Sequence, residues 1–110
     1  MPKYIIFFGY TKDSAKAMIE HPSDRAGALK VVLESLGGKL ESFYWMQGNH
    51  DGFLIASLPD GVKAAAISAA VASTGAVSHL ESHEIFDGAA QVEIVKAAKS
   101  ALAAYRSPTA

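Results

Sequence analysis

The sequence predicts an α+β sandwich of order β-α-β-β-α-β followed by one further helix, on three observations. Two short runs, Tyr4–Phe8 and Phe53–Leu58, are almost wholly apolar, as strands buried on both faces are. Two others, Lys39–Gln47 and Val77–Phe86, mix charged with apolar residues, as strands at a sheet edge do. The segments between them carry apolar residues at helical spacing and end in glycine, proline or capping residues.

Each element has its own local reason. Tyr4-Ile5-Ile6-Phe7-Phe8 is β-branched and aromatic and stops at Gly9. Thr11 is an N-cap for a helix with Ala15, Met18 and Ile19 on one side. Pro22 breaks that helix, because it lacks the N–H and clashes with the preceding turn. The helical pattern resumes with Ala26, Leu29, Val32, Leu33 and Leu36, and Gly37-Gly38 ends it. In Lys39–Gln47, alternation puts Leu40, Ser42, Tyr44 and Met46 on one face and Lys39, Glu41, Phe43 and Trp45 on the other. Gly48-Asn49-His50-Asp51-Gly52 is a dense turn signal joining this strand to Phe53–Leu58 as a hairpin. Pro59-Asp60-Gly61 opens an Ala-rich helix that runs to Ser73 and stops at Gly75. After Val77–Phe86, Asp87 caps a last helix with Val92, Val95, Leu102 and Tyr105 expected inward.

This order is the split-βαβ, ferredoxin-like pattern, with a four-stranded antiparallel sheet whose first and third strands are central. The expected domain covers residues 1–106, and Ser107–Ala110 reads as a disordered tail. Helices cover one face of such a sheet. The other face presents alternate residues of two apolar strands, roughly a few hundred Å² that monomers seldom expose. A second copy is the simplest cover, so a homodimer is expected.

Composition narrows the partners. Ten Lys and Arg stand against eleven Asp and Glu, for a net charge of -1, with no basic run. That argues against nucleic acid and against an anionic membrane surface. There are no cysteines, hence no disulfide and no thiolate ligand. The apolar stretch near the start is too short for a signal-peptide core, and a cytoplasmic location is the expectation.

Around Phe43-Tyr44-Trp45-Met46-Gln47-Gly48-Asn49-His50-Asp51-Gly52 the chain resembles the GYD-domain family. Supporting positions are the Pro2–Phe8 strand, Ser23-x-Arg25, Gly37-Gly38-Lys39, Leu58-Pro59-Asp60 and Ser73-x-Gly75. His50 stands where the family's Gly-x-Tyr-Asp turn has tyrosine, while Gly48 and Asp51 are kept. The resemblance runs from about Pro2 to Asp87 and implies pairing as a dimeric α/β barrel, but no established activity.

Several residues are candidates for chemistry. His79, Glu81 and His83 alternate on the fourth strand, bracketed by Val77 and Ile85. Imidazoles beside a carboxylate can do acid/base work near neutral pH, with His79 and His83 as the catalytic pair. The plainer reading is the polar face of an edge strand. A partly enclosed polar pocket at these three residues is the sharper expectation, since Val77 and Ile85 would continue a covered face. No metal is expected, because His79 and His83 lie ~13 Å apart along an extended strand. His50 and Asp51 form either a ligand-binding pair or simply a turn. Tyr44, with Trp45 and Phe43, lines a ligand pocket or, as the plainer reading, belongs to the core or an interface. Arg25 meets an anion at a helix start or stays solvated. No phosphate-loop, dinucleotide or nucleophile-elbow pattern occurs.

The expected function is binding of a small, partly apolar molecule in a barrel or sheet–helix cavity. The resemblance also allows cofactor-free acid/base chemistry there, with His79 or His83. The alternative is a non-catalytic ligand-sensing or assembly module.

Overall fold

The structure is a computed structural model that describes residues 1–109; Ala110, the end of the expected tail, lies outside the described residues. Its strands are β1 (Lys3–Tyr10), β2 (Lys39–Trp45), β3 (Gly52–Ser57) and β4 (Val77–Ile85). They form one antiparallel sheet of order β2-β3-β1-β4, so the two most apolar runs are indeed central. The helices are α1 (Lys12–Glu20), α2 (Arg25–Ser35), α3 (Gly61–Ser73) and α4 (Gly88–Ala104). The break at Pro22 separates α1 from α2. Each helix starts at a side-chain cap: Thr11, Asp24, Asp60 and Asp87 accept from the backbone N–H three residues on. Such caps contribute about 1 kcal/mol each.

The core fills the space between one face of the sheet and helices α2 and α3. Tyr4, Ile6, Phe8, Leu54 and Ala56 come from the central strands. Leu58, just past β3, joins Leu33 of α2 and Ala64 and Ile67 of α3. On the opposite face, Ile5 pairs with Ile55 and Phe7 with Phe53. All four remain half-buried, because no helix lies over them.

Two irregularities break the alternation expected from sequence. The β1–β4 register shifts between Gly9 and Tyr10, where Gly9 faces His79 but Tyr10 faces Val77. Ser78 is the extra residue, so Val77 turns to the helix-covered side and does not share the His79 face. A second shift lies between Leu40 and Ser42. It sends Leu40 toward the core alongside Phe43, while Ser42 and Tyr44 stay on the open face. A bulge inserts one residue, and everything beyond it changes face.

The apolar side of α1 and the face of α4 expected to be inward are also exposed. Ile19 of α1 is 81% exposed. In α4, Val92, Val95 and Leu102 are exposed, and none of the helix's residues is buried. The apolar spacing is there, but the chain supplies nothing for it to pack against. The molecule measures 60 × 32 × 23 Å, and a 17-residue helix standing off the sandwich accounts for the elongation. The exposed surface is 7511 Å² for 11.6 kDa. A compact monomer of that mass exposes about 5,800 Å², so this chain shows roughly 1,700 Å² more.

Candidate functional site

An apolar cavity lies inside the sandwich, on the helix side of the sheet. It has a volume of about 180 Å³. Ile6 and Phe8 of β1, Leu54 of β3 and Leu80 of β4 form its floor; Leu29 and Val32 of α2 and Ile67 and Val71 of α3 form its roof. These side chains are apolar because the same alternation and helical spacing that build the core point them inward. Small residues, Ala28 of α2, Ser68 of α3 and Ala76 before β4, also line the cavity and leave part of the space between sheet and helices open. Polar side chains interrupt the lining at Tyr10, Arg25, Ser68 and Thr74. The Ser68 hydroxyl is buried and has no hydrogen-bond partner. Arg25 and Tyr10 lie at the wall shared with an outer depression of about 300 Å³, which Ser14, His21 and Ser23 also line. Burial pushes the Tyr10 phenol above its ordinary pKa, while the neighbouring Arg25 guanidinium opposes the rise.

The other sequence candidates gather on the open face. His50 Nδ1 and His79 Nε2 are 2.9 Å apart and share a hydrogen bond. The second nitrogen of His79 meets the Ser78 hydroxyl at 3.1 Å. His50 lies over Phe7, with ring centroids 5.0 Å apart. His83 Nε2 is 3.1 Å from Glu81 Oε2, and this contact holds the Glu81 carboxyl below its usual range. Tyr44 stacks on Phe53 at 5.5 Å and is more than half exposed. The His79 ring lies across Gly9, where any Cβ would overlap it. A glycine at the end of β1 therefore lets the His79 ring lie flat there; a larger residue would turn that exposed ring aside.

The contact between His50 and His79 joins residues that the sequence separates by strand β3 and helix α3, and no local pattern announces it. His79, Glu81 and His83 do share a face, as alternation predicts. The enclosed pocket does not form around them within one chain: they are exposed, and neither cavity is lined by any of the three. The expectation rested on Val77 continuing their face, and the Ser78 bulge removes that support. Among the described residues, no three His, Asp or Glu side chains converge closely enough to hold a metal ion. No helix of the described residues is long and apolar enough to cross a membrane.

Asp51 is placed by the turn but works on β1. Its carboxylate accepts from the Tyr10 N–H at 2.7 Å, and its own N–H donates to the Phe8 carbonyl at 2.8 Å. It also accepts from the Met46 N–H through its carbonyl. These bonds tie the hairpin turn to the end of β1 where the ladder shifts. Asp51→Ala is expected to cost about 1.5–3 kcal/mol, the loss of a charge-assisted bond plus an unpaired N–H. Thermal melting should show a drop of roughly 10 °C, and Asp51→Asn should recover part of it. An unchanged melting temperature in the alanine variant would mean the tie is not structural.

The aromatic candidates of β2 divide between faces. Phe43 packs into the core against Phe8, Tyr44 stays on the open face, and Trp45 meets Tyr10 at 5.6 Å beside the cavity. A comparison with proteins of curated function returns no match. A family model, the GYD domain, matches residues 4–95, which span every strand, the first three helices and the start of α4. Four strands in that order, with Gly48 and Asp51 at the hairpin turn, agree with the match, and the chain belongs to the GYD domain family.

Proposed function

We propose that this protein is a homodimer in which each subunit binds one small, largely apolar molecule in its sheet–helix cavity. The cavity is the observation that carries this reading. A small apolar molecule seated there would meet aliphatic side chains from both the sheet and the helices, dispersion contacts that water does not replace. A dry apolar cavity of ~150 Å³ is enough to hold benzene. The unpartnered Ser68 hydroxyl adds a fixed polar point inside a largely apolar wall, the usual composition of a small-molecule site.

The dimer has a separate support. The excess surface exceeds the ~800 Å² that each partner buries in a standard interface. It includes the half-buried Ile5, Phe7, Phe53 and Ile55 and the exposed apolar side of α4. His79 and His83 stand on the sheet face away from the cavity, so they do not reach a molecule bound there. This favours the non-catalytic reading, with the histidine cluster serving the subunit interface.

The single tryptophan, Trp45, supplies the test, because its ring lies against Tyr10 at the cavity wall. Titration with a neutral probe, 3-phenylpropanol, should change its fluorescence saturably. Val71→Phe, which fills the cavity from α3, should weaken that binding at least about tenfold without lowering the melting temperature by more than the few degrees typical of modest overpacking. Saturable binding that Val71→Phe leaves untouched would place the ligand elsewhere.

A further inference from the structure

Resting on the cavity reading above, we infer that the ligand is an anionic amphiphile: a carboxylate carried on one aromatic ring or a short alkyl chain. The apolar body occupies the 180 Å³ inner cavity, and the carboxylate sits at its wall against Arg25.

Arg25 is the residue common to the inner cavity and the outer depression, together with Tyr10 and Ala76. It is half-buried, yet among the described residues no carboxylate lies within ion-pairing distance of its guanidinium. Asp24, the neighbouring acid, is turned to the backbone instead, where it accepts from the Gly27 N–H at 3.0 Å. A partly desolvated guanidinium without a counter-ion, beside an apolar chamber, leaves a place for one negative group. Its planar fork of donors matches a carboxylate in two parallel bonds. The Tyr10 hydroxyl lies beside it and shares both cavities' walls.

Polarity is graded along the path. The outer depression mixes Ser14, His21 and Ser23 with Ala17 and Met18, while the inner one is mostly aliphatic and aromatic, with Ser68 and Thr74 as its polar points. A neutral apolar molecule would use only the inner part. A dianion or a sugar would find too little polar surface beyond the mouth. An acid with an apolar body uses both, and the buried Ser68 hydroxyl can meet one further oxygen on that body.

The test compares 3-phenylpropionate with 3-phenylpropanol, which has the same apolar body but a neutral end, by calorimetric titration of the wild-type protein and of Arg25→Gln. The acid is expected to bind the wild type about tenfold or more tightly than the alcohol, with Arg25→Gln bringing the two within about twofold. Affinity for the acid should also fall with added salt. Equal binding of acid and alcohol by the wild type would overturn the anion selectivity while leaving the cavity reading intact. Preference for the acid that survives Arg25→Gln would overturn the role of Arg25. Binding of neither probe would overturn both.

Discussion

Ile6→Asp is expected to leave no cooperatively folded protein. Ile6 is 3% exposed, at the centre of β1, with Leu54 opposite on β3 and Ser82 opposite on β4. Removing its side chain alone costs about 2–5 kcal/mol. A carboxylate left in that place has no cation paired with it, and an uncompensated buried charge adds several kcal/mol more. The sum reaches or exceeds the roughly 5–15 kcal/mol by which a domain of this size is stable. Circular dichroism should show neither a native spectrum nor a thermal transition, while Ile6→Val should lose only about 0.5–1.5 kcal/mol. A soluble Ile6→Asp protein that melts like the wild type would displace Ile6 from the core.

Ile55→Asp should behave in the opposite way, folding as a chain but failing to pair. Ile55 lies one residue from Leu54 on the same strand, yet it faces the side that no helix covers and stays half-buried. An aspartate there can reach water in the single chain. In a dimer formed through this face it would be buried against apolar side chains, at several kcal/mol for each subunit. Light scattering at micromolar concentration should give about twice 11.6 kDa for the wild type and 11.6 kDa for the variant, with similar far-ultraviolet spectra. A wild-type protein of 11.6 kDa would remove the homodimer. A dimeric Ile55→Asp would move the interface to another surface, of which α4 is the most apolar.

These two substitutions look equivalent in sequence, since both strike a continuous apolar strand. A strand that is apolar on both faces does not say which face the helices take. The placement of Tyr4, Ile6 and Phe8 under α2 and α3, with Ile5 and Phe7 outside, is a property of the assembled sandwich. The same holds for α4. Its apolar spacing predicts burial, but a helix is buried only if some surface lies against it, and within one chain none does.

What the sequence determined by itself was local in origin. Apolar runs, capping residues, Pro22 and the Gly48–Gly52 turn set the element order, the two central strands, the helix break and the sharing of one face by His79, Glu81 and His83. These depend on periodicity and on the conformations open to a few neighbouring residues. Tertiary structure decided whatever required two distant segments to meet. The Ser78 bulge moved Val77 to the cavity side, the His50–His79 contact brought the turn to β4, and Asp51 was committed to the Tyr10 N–H. The cavity is of the same kind. It is the space left between the sheet and helices α2 and α3, and a gap between two surfaces belongs to neither segment alone.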